Sequence, residues 1–265
     1  VLKQRVTENS PYENVYTLAL RGLHDKAMGG SNDMKERVKM LGEALKDQRQ
    51  LLADVIKKPA NEIPQAFTPY KEVLDVYSAG LDLPEDVTII WPDDNYGYMK
   101  RLSCPREQKR SGRAGVYYHV SYLGKPHDYL WMSTTPPALM YEELRKAYDA
   151  TADRIWLLNV GDIKSCEFSM NLFLAYDIDS FNYDNISLYQ ARWLSNMFGN
   201  KYYDDFVDIT NTFYHQAFSR KPEFMGWGYQ WSTNRHGKER NTDTDFSFAN
   251  YQEADSRLAA YDRIG

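Results

Sequence analysis

Polar side chains follow five successive apolar runs of this sequence, each at the point where a predicted strand ends. They are Arg21, His24 and Asp25; Tyr70 and Glu72; Asp93, Asp94 and Asn95; His119, followed by His127 and Asp128; and Asn159 and Asp162. In a parallel (β/α) barrel, the carboxyl ends of the strands face one common pocket, and active sites are built there. We therefore expect these side chains, although distant in sequence, to converge.

The residue types in this set limit the chemistry. Glycoside hydrolysis needs two carboxyl groups across the scissile bond, one to protonate the leaving oxygen and one to activate water or attack the sugar. Asp25 and Glu72 lie on adjacent predicted units and could supply this pair. Because arginine binds a carboxylate bidentately, Arg21 could hold an acidic sugar. Asparagine and histidine side chains could hydrogen-bond to the sugar hydroxyls.

Each of these side chains also has a purely structural explanation. Asp93 and Asp162 could cap the helices that follow them. His119 could be a buried histidine with satisfied hydrogen bonds, and Arg21 could pair with a structural carboxylate. Glu72 at the start of a helix is favoured by the helix dipole whatever else it does. The functional interpretation therefore depends on the recurrence of such residues after five strands in succession.

Strands and helices alternate along the first part of the chain. Continuous apolar runs predict buried strands at residues 15–20, 65–68, 87–91, 115–122 and 154–160. Helical spacing of apolar residues and flanking prolines predict helices at residues 32–57, 138–150 and 167–175, and a brief helix that follows Pro69-Tyr70-Lys71-Glu72 and ends at Ser78. This alternation predicts an α/β fold, a parallel (β/α)8 TIM-type barrel that is N-terminally incomplete here, with about five of the eight βα units.

The pattern changes near Ser187. Residues 187–221 are predicted to be helical, residues 222–248 to form a loop that carries Gly and Trp, and another helix to start near Asn250. We therefore predict a partial barrel domain at residues 1–186 and the start of a helical domain at residues 187–265. Because the chain has no initiator Met and stops inside a helical pattern, we expect it to be a piece of a longer protein.

Composition and missing motifs exclude several functional classes. The net charge is −5 and no block of Lys and Arg stands out, which argues against nucleic-acid binding. No run of 18 apolar residues could span a membrane. Two cysteines define neither a disulfide framework nor a metal knuckle, and GxSxG, HExxH, Walker and GxGxxG motifs are absent.

Six ordered motifs resemble glycoside hydrolase family 115. They are RGLHD at 21–25, PYKEV at 69–73, WPDDNYG at 91–97, GVYYHVSY at 115–122, PHDYLW at 126–131 and NVGDIK at 159–164. The resemblance runs from about Tyr12 to the end, since the TDFS run at 244–247 and the following helix also match. Leu23 departs from the polar residue expected there in many relatives, and the acidic residue that the family uses earlier in its barrel is missing from this chain.

The resemblance implies an enzyme that releases glucuronic acid or its 4-O-methyl ether, α-1,2-linked to xylose in glucuronoxylan, with inversion. It implies no cofactor and no metal, a secreted or periplasmic location, and room for homodimerisation through domains outside this chain. Glucuronoxylan or its oligosaccharides would be the partner, with no nucleic acid and no membrane. By motif, the family's functional positions fall on Arg21, Asp25, Glu72, Asn95, His119 and Asn159.

Our sequence-based hypothesis assigns a role to each position. Glu72 is the general acid, and Asp25 is the general base or lies beside it. Arg21 binds the uronate carboxylate. The remaining substrate-binding positions are Asn95, His119, Asn159, Tyr70 and Asp162.

Two alternatives stay open at this point. The first is a catalytically inactive fragment or carbohydrate-binding remnant. The second is a metal-dependent barrel hydrolase that uses His24, Asp25, His127 and Asp128.

Overall fold

The computed structural model describes residues 1–22, 26–123, 129–130, 132–174, 181–224 and 254–265. The chain divides into two compact units. The first comprises Val1–Asp93, Met99–Tyr117 and Lys146–Leu157, and the second comprises Asp94–Tyr98, Tyr118–Arg145 and Leu158–Gly265. The boundary predicted between residues 186 and 187 lies inside the second unit, and the division into barrel and helical domains stays a prediction.

Five parallel strands form one sheet in consecutive order. They are β1 (Tyr16–Leu18), β2 (Gln65–Phe67), β3 (Thr88–Pro92), β4 (Ala114–His119) and β5 (Trp156–Asn159). The register pairs Leu18 with Phe67 and Phe67 with Ile89. In the described chain, three of the four connections between neighbouring strands contain an α-helix. Parallel strands joined in this way are the arrangement of a (β/α) barrel. The predicted fold class, an incomplete barrel with helices, is therefore confirmed.

The strands are short, and those in the middle of the sheet are mostly buried, as the apolar runs predicted, whereas β1 and β5 are largely half-buried or exposed. All three residues of β2 are buried, and Ile89 and Trp91 of β3 are inaccessible to solvent. Gly115 is required where β4 meets the segment leading into β5, because a Cβ there would lie 2.1 Å from the carbonyl oxygen of Ile155. This close packing fixes the start of β4 against the segment that leads into β5, where the N–H of Val116 also donates to the carbonyl of Ile155.

The first unit contains three complete helices, α1 (Leu2–Asn9), α2 (Met34–Ile56) and α3 (Glu72–Ser78). Helix α2 begins at a side-chain cap, since the Asp33 carboxylate accepts hydrogen bonds from the backbone N–H groups of Lys35 and Glu36. Its apolar stripe buries Leu41, Leu45 and Leu52. The predicted helix at 32–57 is confirmed, whereas α1 was not predicted.

Helix α4 (Pro137–Asp149) runs from the second unit into the first along the chain. The second unit contains α5 (Glu167–Leu174), α6 (Tyr183–Phe198), α7 (Tyr203–Ser219) and α8 (Ala254–Ile264). Helix α6 packs against α7, and α7 packs against α8. Gly199, at a φ of 101°, divides the stretch predicted as helical into α6 and α7. Among the described helices, none combines the length and apolarity needed to cross a bilayer.

Candidate active site

Arg21 and Glu72 form a bidentate ion pair in the first unit. Arg21 follows β1 and Glu72 opens α3 after β2, so the topology brings together two residues that are distant in sequence. Nε and Nη2 of Arg21 donate to Oε1 and Oε2 of Glu72, both at 3.1 Å, and the backbone N–H of Met28 donates to Oε1 at 3.0 Å. Their side chains are 18% and 19% exposed, so the pair is mostly buried but still reached by solvent.

Tyr70 supports this pair from the side. The guanidinium carbon of Arg21 lies 5.5 Å from the centre of the Tyr70 ring, and the ammonium nitrogen of Lys71 lies 5.0 Å from it. Tyr117 meets the same ring edge-on at 6.0 Å. A ring face attracts a cation within about 6 Å. Tyr70 therefore fixes the orientation of Arg21 in addition to any contact it makes with a sugar.

The backbone just before Glu72 is strained. Lys71 has φ 51° and ψ −123°, a conformation that residues with a Cβ rarely adopt. Such strain persists only where the surroundings impose it, and it clusters at functional sites. The turn directs the first residue of α3 toward Arg21.

The contacts of Glu72 determine its charge in the unliganded protein. Burial alone would raise its pKa, but the hydrogen bonds from Arg21 and from the backbone N–H groups of Glu72 and Met28, with the positive charge of Arg21, outweigh that effect. They lower the pKa below its ordinary value of 4.5. Glu72 is therefore a carboxylate here, and loss of the contact with Arg21 would favour its protonated form.

The lowered pKa of Glu72 also affects stability. A carboxyl group whose pKa is lower in the folded state stabilises the fold above its unfolded value, near 4.5, and this contribution is lost as the pH falls through the folded pKa. We expect the thermal midpoints of the wild type and Glu72→Gln to differ most above pH 4.5 and to approach each other below it. This linkage would be contradicted if the difference between the two thermal midpoints did not change with pH. It would also be contradicted if Glu62→Gln, a change at an exposed glutamate, showed the same pH dependence.

Asn95 belongs to a tight loop in the second unit. The carboxylate of Asp94 accepts hydrogen bonds from the backbone N–H groups of Tyr96 at 2.8 Å and Tyr98 at 3.1 Å. The loop places Asn95 at a φ of 70°, in the left-handed region that asparagine tolerates better than most residues. Asn95 is half-buried, so its amide is positioned by the loop and still accessible.

His119 ends β4 and belongs to an aromatic cluster in the second unit. Its ring meets Tyr122 edge-on at 5.7 Å, and its backbone carbonyl accepts a hydrogen bond from the Tyr129 hydroxyl at 3.4 Å. Tyr129 also stacks on Tyr96 at 6.2 Å. The side chain of His119 is only 1% exposed. Contact between its imidazole and a sugar stays a prediction.

Asn159 and Asp162 follow β5 in the same unit. Asn159 is half-buried, and its carbonyl accepts a hydrogen bond from the N–H of Val120, so it lies next to the end of β4. Asp162 is exposed and precedes a 3₁₀ turn without a capping hydrogen bond from its side chain. Gly161 lies between them because a Cβ there would come within 2.5 Å of the Ser121 hydroxyl. Substrate binding by these two residues stays a prediction.

Asp25 lies outside the described residues, as do His24, His127 and Asp128. The separation between the predicted catalytic carboxyl groups, and the alternative metal site, therefore stay predictions. Across the part of the chain that the structure does describe, no group of three His, Cys, Asp or Glu side chains could hold a metal ion.

A buried polar cluster in the second unit was not predicted from the sequence. Lys221 is 8% exposed, and its ammonium group donates to Thr134 and Thr135 at 3.1 and 3.3 Å. Thr134 donates in turn to Glu223 at 3.2 Å. A Lys-Pro pair commonly follows the end of a helix, so nothing in the local sequence distinguishes Lys221 from an exposed lysine.

Two comparisons with known proteins give matches. Residues 1–224 match the sequence model of a family described as "Glycosyl hydrolase family 115". The chain is also similar to a solved structure described as a family GH115 4-O-methyl-α-glucuronidase with specificity for decorated arabinogalactans, with 39% identity and a TM-score of 0.88. That match covers 99% of this chain and 34% of the other. No curated protein matches the chain.

Proposed function

Because the chain belongs to glycosyl hydrolase family 115, we propose that it forms part of the active site of an α-glucuronidase. The reaction would be inverting hydrolysis of glucuronic acid or its 4-O-methyl ether, α-1,2-linked to xylose in glucuronoxylan. This chain spans about a third of the solved relative, so the activity is proposed for the full-length protein. A polymeric substrate favours a secreted or periplasmic enzyme.

The observation that carries this proposal is the bidentate contact between Arg21 and Glu72. It presents two N–H groups of a guanidinium to a carboxylate at a partly buried position. A glucuronic acid residue carries such a carboxylate, and arginine binds it with the same planar geometry. Arg21 is therefore preorganised for an acidic sugar.

Binding of the uronate would change the state of Glu72. If the sugar carboxylate takes the place of the Glu72 carboxylate on Arg21, Glu72 loses the Arg21 hydrogen bonds and the Arg21 charge, two of the causes that lower its pKa. Burial, which raises the pKa of Glu72, would then be opposed only by the backbone hydrogen bonds from Glu72 and Met28. Glu72 would then take up a proton and be able to donate it to the leaving glycosidic oxygen. In this mechanism, substrate binding itself converts Glu72 into the general acid.

The other predicted positions would complete the reaction. Asp25 would activate the attacking water as general base or lie beside that base, about 6.5–9.5 Å from the carboxyl group of Glu72 as inversion requires. The remaining side chains would hold the sugar: Tyr70 beside the Arg21 contact, and Asn95, His119, Asn159 and Asp162 at the hydroxyls. Hydrogen bonds of this kind can strengthen in the transition state.

The test is hydrolysis by the full-length protein. We expect release of glucuronic acid or its 4-O-methyl ether from glucuronoxylan, with the β-anomer as the first product by NMR. An acidic arabinogalactan should be tested in parallel, because the solved relative is described as specific for decorated arabinogalactans. Release from neither polysaccharide would overturn the proposal, and a first-formed α-anomer would overturn the inverting mechanism.

The same assay on the chain by itself tests the alternative of an inactive fragment or sugar-binding remnant. β1 is an edge strand of the described sheet, and an unpaired edge is a liability for a barrel piece that stands alone. Binding of xylo-oligosaccharides without release of acid, by both the chain and the full-length protein, would favour that alternative.

A further inference from the structure

Lys221 is a buried cation that the proposed reaction does not use. It follows α7 and is only 8% exposed. Moving a charged ammonium group out of water is costly unless its protons find partners. The position is therefore expected to have a specific purpose, and the contacts of the ammonium group indicate what it is.

The ammonium group of Lys221 makes two hydrogen bonds and one contact with an aromatic ring. The two hydrogen bonds are donated to the hydroxyls of Thr134 and Thr135, at 3.1 and 3.3 Å. The nitrogen also lies 4.8 Å from the centre of the Tyr129 ring, within cation–π range. The Thr134 hydroxyl in turn donates a hydrogen bond to Oε1 of Glu223 at 3.2 Å.

Contacts through Tyr129 connect Lys221 to His119. Tyr129, under the ammonium group of Lys221, donates its hydroxyl to the backbone carbonyl of His119 at 3.4 Å. It also makes a tilted ring contact with Tyr122, which meets the His119 ring edge-on. Holding Tyr129 in place therefore holds the end of β4.

Contacts through Tyr129 and Thr135 connect Lys221 to the loop that carries Asn95. Tyr129 stacks on Tyr96, the next residue after Asn95. Thr135 also lies against Gly97, since its methyl carbon would be 3.5 Å from a Cβ added there. Gly97 accepts a hydrogen bond from the buried Tyr118 at 2.9 Å, which leaves no room for a larger residue. Through Tyr129 and Thr135, Lys221 is therefore connected both to the loop that carries Asn95 and to the strand end that carries His119.

We propose that Lys221 is a positioning residue that ties the loop Asp94–Tyr98 to the end of β4 and so fixes Asn95 and His119 for the sugar. This inference rests on the proposed function, since its meaning for catalysis depends on that site. Its structural part, that one buried ammonium group orders both segments, can be tested without any activity.

If the charge of Lys221 holds this cluster together, the order of the cluster should depend on pH. A side chain that only fills space would give no such dependence. Burial lowers the pKa of Lys221 to about 8, against the opposing effect of Glu223. The titratable groups that face it in the described part of the chain are Glu223, whose pKa burial raises, and the phenol of Tyr129. The ammonium form, present below about pH 8, is the one that holds Tyr129, so order should be lost as the pH rises through that value.

The first measurement is amide hydrogen exchange in the full-length protein. We expect faster exchange in Asp94–Tyr98 and in residues 118–122 for Lys221→Met and for Thr135→Val, which removes one hydroxyl partner and leaves Glu223 untouched. Exchange in β2 should be unchanged. The matched control is Lys201→Met, because Lys201 is exposed and lies 4.4 Å from the Tyr202 ring. Unchanged exchange in both test variants would overturn the proposal.

The second measurement is kcat/KM for uronic acid release against pH. We expect Lys221→Met to lower kcat/KM by about 10²-fold, the cost of misplacing a substrate-positioning group by about 1 Å. The wild type should lose activity above about pH 8, and Lys221→Met should lack that alkaline decline. A decline that persists in Lys221→Met would overturn the role of the ammonium charge. Absence of hydrolysis in the wild type would count against the proposed function and leave the exchange result to decide on Lys221.

Discussion

Glu72→Gln is expected to lower kcat of the full-length enzyme by about 10²–10⁴-fold, the usual contribution of a general acid or base. Glutamine keeps the shape of the side chain and can still accept from the N–H of Met28, but it has no proton to give to the leaving oxygen. KM should change much less than kcat, because the interaction is needed in the transition state. Substrates with a good leaving group, which need little protonation, should lose less activity.

Glu107 provides the matched control for Glu72. It also pairs with an arginine, Arg101 at 2.7 Å, and accepts a backbone N–H, that of Cys104 at 2.9 Å, and these contacts with others lower its pKa despite burial. Glu107→Gln should therefore reduce stability while leaving kcat within a few-fold of the wild type. Near-normal turnover in Glu72→Gln, or equal losses in both variants, would exclude Glu72 as the acid.

Arg21→Met is expected to lower kcat/KM for the acidic substrate by about 30- to 1000-fold. Removing one partner of a partly buried, hydrogen-bonded charge pair costs about 2–4 kcal/mol, and about 1.4 kcal/mol is a factor of ten. The loss should be small for a substrate whose uronate is methyl-esterified, because that substrate lacks the charge that Arg21 binds. Arg21→Lys should be intermediate, since lysine restores the charge without the planar fork.

The pH profile adds a second signature for Arg21. Without Arg21, the pKa of Glu72 should rise in the free enzyme, because burial is then opposed only by backbone hydrogen bonds. The matched control is Arg49→Met, since Arg49 makes an equivalent bidentate pair with Asp86 at 2.8 and 3.0 Å. Equal losses on the charged and esterified substrates, or the same loss in Arg49→Met, would show that Arg21 does not recognise the uronate.

Much of the fold follows from local sequence patterns. The run VTIIW predicts a strand at 87–91, and β3 occupies Thr88–Pro92. The helix predicted at 32–57 is Met34–Ile56, because Asp33 caps its start and apolar residues recur at helical spacing within it. The strand order also follows, since successive parallel βα units place each strand beside the preceding one.

Local sequence patterns were less successful in predicting helix α1 and the ends of α6 and α7. Helix α1 is short and buries only Val6, so its sequence has too weak an apolar stripe to reveal it. The stretch at 187–221 is helical as predicted, but its division at Gly199 depends on how α6 and α7 pack against each other. Helix propensity alone does not determine such a break.

The sequence by itself determined which residues stand at the ends of the strands, because apolar runs and the residues after them are properties of a few neighbouring positions. Only the tertiary structure decided that Arg21 would pair with Glu72 across 51 positions, and that the pair would keep Glu72 ionised. The same holds for Lys221, whose side chain is a solvated cation by every local rule and a buried one in the fold. Burial and charge pairing depend on which distant segments meet, and that is set by topology rather than by spacing along the chain.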